Sequence, residues 1–210
     1  MLKANFITAQ EAAEKIQDGS TLCTIGMTLV SASESILKAI EKRFETVGHP
    51  ADITLVHSCG QSDRKDGIQH LAHEGLVKRI VGSHWGLQPR WMEMIANSQV
   101  EAYCLPQGQI AQLYRSMACG LPGKMSKVGL GTFIDPRVEG GKMNDRTKPL
   151  PDIVDILEYG GEEYMFYKEI PLDTVLIRGT VCDEMGNLTT TEEAMKLEVL
   201  PAVLAAKRYG

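Results

Sequence analysis

The sequence predicts an α/β fold: an open, mainly parallel β-sheet flanked by helices, of the Rossmann-like kind. Short apolar runs with high β-propensity alternate along the 210 residues with segments whose apolar side chains recur every three or four positions. Strands that alternate with crossover helices form parallel sheets covered on both faces. With 43% hydrophobic and 23% charged residues, the composition is that of an ordinary globular domain, so we expect a buried core.

The predicted helices carry recognisable start signals. Thr8 and Glu11 have the spacing of a capping box and open the first helix, which ends before Gly19. Pro89 occupies the first turn of another helix, where its missing N–H costs nothing. Apolar residues at helical intervals place further helices at 33–44 and 107–119, the second ending at Gly120. Strands are predicted between the helices, at 20–26, 53–56, 79–82, 100–105 and 174–180.

Two later segments depart from this alternation. Residues 120–167 are rich in glycine, proline and charge, and we expect a long irregular stretch there, of the kind that is functional or reaches a partner surface. Thr190 and Glu193 have capping-box spacing and predict the start of a last helix. Pro201 lies within that helix and predicts a break or kink near Leu200.

Composition argues against several classes of protein. The net charge of −5 disfavours nucleic acid as the main partner, and no apolar run reaches the roughly 20 residues that span a bilayer. The first six residues lack a signal-peptide core, so we expect a cytoplasmic protein. Five scattered cysteines without a CxxC pair suit reduced thiols. His70 and His73 have no evident third ligand in the sequence, so no metal is expected. No other cofactor is expected.

Ligands of parallel sheets bind in the loops beyond the carboxyl ends of the strands, so the loops after residues 25, 56, 81, 105 and 179 are the candidate site. The first motif there is Leu105-Pro106-Gln107-Gly108. Its proline stiffens the backbone, its glycine permits close approach, and the amide of Gln107 can grip a carboxylate or a thioester oxygen. The alternative is that Gln107 only caps the following helix.

Other motifs carry weaker signals. The glycines of Gly129-Leu130-Gly131-Thr132-Phe133 allow close backbone approach to a ligand, although the spacing fits neither a dinucleotide nor a Walker loop, and a simple turn is the alternative. His84 and Trp85 follow a predicted strand. In one interpretation they line a pocket, with His84 as a general base; in the other, Trp85 is buried in the core and His84 has no such role. Glu139 and Glu158 adjoin paired glycines in a polar stretch, where solvated side chains are expected.

Several segments together resemble the family I coenzyme A transferases, of the acetate/propionate/acetoacetate type. The resembling segments run nearly the whole length of the chain. They are Ala72-His73-Glu74-Gly75-Leu76-Val77-Lys78, Gly82-Ser83-His84-Trp85-Gly86, Leu105-Pro106-Gln107-Gly108, Gly129-Leu130-Gly131-Thr132-Phe133-Ile134-Asp135-Pro136-Arg137, Gly140-Gly141-Lys142-Met143-Asn144, Glu163-Tyr164-Met165-Phe166-Tyr167-Lys168 and Cys182-Asp183-Glu184-Met185-Gly186-Asn187.

The resemblance implies a fold of the coenzyme A transferase type and an enzyme of two halves, fused or separate, in which residues 1–210 are the α half and end before the carboxyl-terminal catalytic half. It also implies transfer of CoA between a thioester and a free acid, by way of an acyl-glutamyl anhydride and a glutamyl-CoA thioester. The nucleophilic glutamate belongs to the β half in this family. We therefore expect acyl-CoA and a small carboxylic acid as substrates, a β half as partner, a homo-oligomer, and no activity of this segment alone.

The resemblance also implies a set of substrate-binding residues. Gln107 matches the glutamine that reaches into the acyl site, with Gly108 beside it. The 129–133 loop, in particular Gly131, Thr132 and Phe133, would shape the acyl pocket. The family places a run of glycines after the first strand; here Gly26 is kept, but Met27, Leu29 and Val30 replace small residues.

That departure leaves two alternatives open. One is a noncatalytic acyl-CoA-binding or assembly subunit of the same fold. The other is a sugar-phosphate isomerase of similar architecture, which the Pro-Gln-Gly and Gly-Thr-Phe segments disfavour.

Overall fold

The predicted α/β fold is confirmed by a computed structural model, which describes residues 3–209. Its main sheet has five parallel strands in the order β4-β3-β2-β1-β8. The strands of this sheet are β1 (Thr21–Thr24), β2 (Ile53–His57), β3 (Val77–Gly82), β4 (Glu101–Cys104) and β8 (Thr174–Leu176). The chain passes outward from β1 to β4 and returns on the other side of β1, so the strand order reverses between β1 and β8.

Helices cover both faces of this sheet, as predicted for parallel strands. They are α1 (Ala9–Glu14), α2 (Glu34–Val47), α3 (Pro89–Ala96), α4 (Gln107–Ala118) and α5 (Val199–Tyr209), with a 3₁₀ helix at Gly67–Leu71. One core packs α1, α2 and α3 against the sheet through residues such as Leu37 and Trp91. The other packs α4 and α5 on the opposite face through residues such as Leu113 and Ala205. Within residues 3–209, no helix combines the length and apolarity needed to cross a membrane.

The start signals read from the sequence are confirmed at the first and third helices. The Thr8 side chain accepts a hydrogen bond from the Glu11 N–H (3.2 Å), and the Glu11 carboxylate accepts one from the Thr8 N–H (2.7 Å). Pro89 is the first residue of α3. The amino-terminal half of the chain therefore follows local rules of helix capping and apolar periodicity.

The expectation of a wholly irregular stretch at 120–167 is wrong in part. Its two ends form a three-stranded antiparallel sheet of β5 (Gly123–Ser126), β6 (Val154–Tyr159) and β7 (Glu162–Lys168), and only 127–153 consists of turns. Gly160 and Gly161 join β6 to β7 with φ of 64° and 78°, the left-handed conformation of a two-residue hairpin turn. Buried Met165 and Tyr167 attach this small sheet to the second core.

The predicted end of the chain also needs correction. The segment 178–198 has no helix; it contains a short hairpin of β9 (Val181–Cys182) and β10 (Leu188–Thr189), and α5 begins only at Val199. Leu197, with φ of 45°, has the left-handed backbone that no helix interior tolerates. Pro201 is the third residue of α5, where its missing N–H has no intrahelical partner, so it lies in the first turn of this helix and not, as was predicted, in the interior of a longer one.

Candidate functional site

A cavity of about 570 Å³ opens at the carboxyl ends of the parallel strands. Its walls come from the loops after β1, β2, β3 and β4, which adjacent parallel strands bring to one edge of the sheet. Part of the 127–153 segment closes one side. The lining residues are Met27, Thr28, Cys59, Gly60, Ser83, His84, Leu87, Cys104, Leu105, Pro106, Gln107, Phe133 and Ile134. This is the location that the sequence predicts for a ligand.

Gln107 stands on the cavity wall as the first residue of α4. Pro106 precedes it with φ of −61° and ψ of 129°, which turns the chain from the end of β4 into the helix. The Gln107 side chain is exposed, and within residues 3–209 it makes no hydrogen bond that would cap the helix. Its amide is therefore free to donate to, or accept from, a group placed in the cavity.

The 129–135 turn is organised by one buried carboxylate. Asp135, 1% exposed, accepts hydrogen bonds from the Gly131 N–H (2.9 Å) and the Arg137 N–H (3.0 Å). The Arg137 guanidinium adds contacts of 2.9 and 2.8 Å and reaches Glu163 of β7 on its other side. These bonds hold the pKa of Asp135 well below its usual range, the hydrogen bond from Arg137 first among them. The carboxylate is ionised and fixes the turn.

A second set of backbone bonds ties this turn to the Gln107 loop. The carbonyl of Phe133 accepts from the Gly141 N–H (2.9 Å), and the carbonyl of Gly141 accepts from the Cys104 N–H at the end of β4 (2.7 Å). A Cβ on Gly141 would lie 2.7 Å from the Cys104 carbonyl oxygen, so only glycine permits this approach. Through this approach Phe133 faces the same cavity as Gln107, which lies three residues beyond the end of β4.

The remaining residues predicted for substrate binding lie near the cavity but not in its lining. Gly26 is buried beneath it; a Cβ there would come within 3.2 Å of the Gln61 side-chain oxygen and the Val30 carbonyl. Gly131 and Thr132 are exposed in the turn, and the Thr132 hydroxyl donates to the Gly129 carbonyl (2.8 Å). Gly108 is exposed on the first turn of α4. Their role in binding stays a prediction.

Some lining residues, such as Thr28, Cys59 and Gly60, were not predicted from the sequence, whereas His84 was a candidate lining residue and Met27 was a known departure from the family pattern. Met27 and Thr28 belong to the loop in which larger residues replace glycines, and only Met27 of the three replacements reaches the cavity. Thr28 has φ of 53°, which a β-branched residue rarely adopts. Cys59 and Gly60 follow β2; the strand's end was visible in the sequence, but neither residue carries a chemical signature by itself. His84 is exposed in the cavity, whereas Trp85 is buried in the core.

The lining carries no carboxylate within the described chain. Its two thiols, Cys59 and Cys104, have pKa values raised by burial, so they are neutral at pH 7 and poor nucleophiles. Glu139 and Glu158 are exposed, as expected of solvated side chains. The cavity thus offers apolar walls, an amide and an imidazole, which suit binding a carboxylic acid or its thioester more than attacking one.

The histidines singled out as possible metal ligands do have acidic neighbours, contrary to expectation. Glu34, Asp66 and His70 form one close group, and Glu41, Glu45 and His73 form another.

Side chains of the protein already pair with the carboxylates of the first group. The Lys38 ammonium lies 3.1 Å from Glu34 and 3.2 Å from Asp66, and the His70 ring contacts both Glu34 and Glu41. Burial lowers the pKa of His70, but these hydrogen bonds outweigh it and the net shift is upward. We interpret the cluster as ion pairs that attach α2 to the 3₁₀ helix.

Comparison with known proteins gives one family. A model of the family described as coenzyme A transferase matches residues 6–208. The caffeate CoA-transferase of Acetobacterium woodii is 42% identical over 208 residues, 99% of this chain and 39% of that protein. The crystal structure of the acyl-CoA transferase YdiF of Escherichia coli O157:H7, in a thioester complex with CoA, superposes with a TM-score of 0.94 at 35% identity. That superposition covers 97% of this chain and 40% of YdiF.

The chain matches a smaller share of the two longer relatives than of a relative that is a separate alpha subunit. The chain spans about two-fifths of the length of the caffeate enzyme and YdiF. The alpha subunit of the acetate CoA-transferase of Escherichia coli K12 is 25% identical over 204 residues, 97% of this chain and 83% of that subunit. The chain therefore belongs to the coenzyme A transferase family and corresponds to the alpha half of its family I members.

Proposed function

We propose that this chain is the α half of an acyl-CoA:carboxylate CoA-transferase. The complete enzyme would move CoA from a short acyl-CoA to acetate or a similar small acid, through a glutamyl-CoA intermediate formed on a glutamate of the other half. The observation that carries the proposal is the Gln107 amide, free of intramolecular hydrogen bonds among the described residues and placed on the wall of a cavity without carboxylates. Such a wall can bind the acyl group but lacks the nucleophile.

In the proposed reaction the glutamate carboxylate of the other half attacks the thioester carbonyl, and CoA leaves as a thiolate. The thiolate then attacks the resulting anhydride at the glutamyl carbonyl and releases the first acid as its carboxylate. The incoming acid reverses these steps. Each attack places negative charge on a carbonyl oxygen. The Gln107 amide N–H would donate to that oxygen, and one such donor is worth about 3 kcal/mol of barrier.

An exposed apolar stripe supports the proposed partner. Leu200 and Leu204 lie one turn apart on α5 and are 68% and 45% exposed, while Ala202 and Ala205 of the same helix are buried. Large side chains in such a stripe are typical of a surface that another element covers. We propose that the β half, fused or separate, packs there, and that the assembled enzyme is a cytoplasmic homo-oligomer.

The test uses the complete enzyme, with its carboxyl-terminal half present, and measures CoA exchange from an acyl-CoA to acetate and to larger acids. Gln107→Ala should lower kcat by about 10²-fold to 10³-fold with a smaller change in KM. Gln112→Ala is the matched control, because Gln112 is exposed on the same helix outside the cavity lining. A folded enzyme that exchanges CoA with no acid, or that is equally active with either variant, would refute the proposal.

The loop after β1 motivates a second candidate. Met27 occupies the cavity at a position where the family pattern has small residues, which would suit a noncatalytic acyl-CoA-binding or assembly subunit. Calorimetry with CoA and mass spectrometry of the acyl-CoA-treated enzyme distinguish the two. A transferase binds CoA and gains a covalent CoA adduct on glutamate, an acyl-CoA-binding subunit only binds, and an assembly subunit does neither.

A further inference from the structure

A fully buried histidine lies directly behind the cavity. His57 is the last residue of β2 and is 0% exposed. Its Nε2 lies 3.1 Å from the Trp85 indole Nε1, which can only donate. Its Nδ1 lies 2.8 Å from the Cys59 carbonyl oxygen, which can only accept. The two partners fix the ring as the neutral tautomer that carries its hydrogen on Nδ1.

We propose that His57 is a positioning residue of the acyl site, which holds the Cys59–Gly60 turn in the cavity wall through its Nδ1–H. The inference rests on the proposed function only in identifying the cavity as the acyl site. Neither ring nitrogen is free, so His57 takes no part in proton transfer.

The carbonyl that His57 holds belongs to a junction of three loops. The next residue, Gly60, accepts a hydrogen bond from the Thr28 N–H of the loop after β1 (2.9 Å). On its other side Gly60 faces the loop after β3: a Cβ there would lie 2.8 Å from both the His84 ring and the His84 carbonyl. Thr28, Cys59, Gly60 and His84 all line the cavity. Movement of this turn would therefore change the shape of three walls.

The neighbouring strand is adapted to the ring. A Cβ on Gly82, the last residue of β3, would lie 2.4 Å from the Cε1 and Nε2 atoms of His57. Trp85 meets the ring edge to face, with 6.0 Å between centroids and 84° between planes. Burial lowers the pKa of His57 to about 4, and the charge of nearby His84 acts in the same direction. The ring is thus neutral at pH 7, as the hydrogen bond from the Trp85 N–H to Nε2 requires.

Two substitutions separate the roles of the two ring nitrogens. An asparagine amide nitrogen can take the position of Nδ1 and keep the bond to the Cys59 carbonyl, whereas a glutamine oxygen can take the position of Nε2 and keep only the bond from Trp85. The readout is the rate at which Cys59 reacts with a small maleimide in the complete enzyme, measured by peptide mass spectrometry. Exposed Cys119 in the same molecule gives the reference rate.

We expect His57→Gln to raise the Cys59 rate relative to Cys119 by roughly fivefold to tenfold, the effect of losing one hydrogen bond that holds the turn closed. His57→Asn should stay within about twofold of the wild type. His49→Asn is the control, since His49 is an exposed histidine paired with Asp18 on a remote surface. Equal rates in the wild type and both variants would overturn the proposal, and so would equal increases in both, which would assign the effect to the bulk of the ring.

Two further measurements complete the test. In wild-type enzyme, ¹⁵N NMR should find His57 protonated on Nδ1 between pH 6 and 8; protonation on Nε2 would overturn the proposal even if no variant folds. In the exchange assay, His57→Gln should raise KM for the acid more than it lowers kcat, and a loss confined to kcat would contradict a role in shaping the cavity. The labelling rates do not depend on turnover, so failure of the proposed transferase activity is distinguishable from failure of this inference.

Discussion

The Asp135 carboxylate offers the sharpest test of how the cavity wall is built. Asp135→Asn keeps the size of the side chain and removes its charge. The carboxylate accepts four hydrogen bonds of 2.8 to 3.0 Å, one from the Gly131 N–H and three from Arg137. An amide can accept at only one of its two terminal atoms, and its NH₂ group would face donors.

The size of the effect follows from these bonds. Hydrogen bonds to a charged group contribute about 1.5 to 3 kcal/mol each. The Arg137 side chain is 51% exposed, so solvent weakens the contribution of the hydrogen bonds from its guanidinium. We expect Asp135→Asn to lower the free energy of unfolding by about 2 to 4 kcal/mol. Urea titration measures this. Asp145→Asn is the matched control, because Asp145 is 85% exposed and solvent screens its pair with Lys148, so its loss should change stability little.

The pH dependence provides an independent check. The pKa of folded Asp135 lies below its unfolded value of about 3.9, so its contribution is complete at higher pH and is lost as the pH falls towards the folded pKa. The difference in stability between wild type and Asp135→Asn should thus be constant above about pH 5 and shrink below about pH 4. A difference no larger than that of Asp145→Asn at pH 7 would refute the account of the turn.

Two glycine substitutions follow from the same geometry. Gly82→Ala should destabilise the enzyme by about 2 to 3 kcal/mol, measured by urea titration, because its Cβ would overlap the His57 ring; unchanged stability would show that the ring is free to move. Gly108→Ala should leave stability equal or up to about 1 kcal/mol higher, because its Cβ would meet no described atom within 4 Å beyond its chain neighbours and the backbone of its own helix, and alanine favours a helix. A rise in KM in that stable variant would indicate that Gly108 contacts the substrate, and an unchanged KM would remove it from the predicted site.

The fold was predictable where local signals and burial agree. The strands of the parallel sheet are short, mostly apolar runs, and the helices between them have one apolar face, so the predicted strands and α-helices from Thr8 to Ala118 are found in the structure. The β6–β7 hairpin was missed because its strands carry charged residues on their exposed face. The Gly160–Gly161 pair that joins them is a hairpin-turn signal, but without an alternating apolar pattern on both sides it does not by itself predict a hairpin.

The last helix was misplaced for a different reason. Thr190 and Glu193 have the spacing of a capping box, but the Glu193 carboxylate is paired with Arg178 at 3.3 Å, and the Ser31 hydroxyl binds the Met195 carbonyl. These tertiary contacts hold 190–198 in an irregular path over the loop after β1. A capping signal fixes a helix only when no stronger tertiary partner claims its side chains.

In the candidate site, residues that act through a polar or aromatic side chain were predictable from the sequence, whereas residues that act through their backbone N–H and carbonyl groups were not. Gln107 was a candidate because its amide follows a predicted strand beside a glycine, and the family resemblance supported it; Phe133 was predicted from the resemblance alone. Gly60 and Gly141 contribute carbonyl and N–H groups whose importance appears only when distant loops meet. Gly141 is a case in point, since it belongs to a recognised motif yet acts by linking Phe133 to Cys104.

The distribution of charge in the cavity wall fits the proposed division of labour between two halves. No residue that lines the cavity within 3–209 carries a carboxylate. Asp135, which organises the 129–135 turn, is buried and paired with Arg137. Two like charges 4 Å apart repel by about 4 kcal/mol near a protein surface, so a carboxylate in this wall would oppose binding of a carboxylic acid substrate. A neutral amide at Gln107 avoids that penalty and still donates a hydrogen bond. In the proposed reaction the glutamate of the other half is bound to CoA as a neutral thioester when the free acid attacks, so the acid carboxylate would not face a charged glutamate at that step.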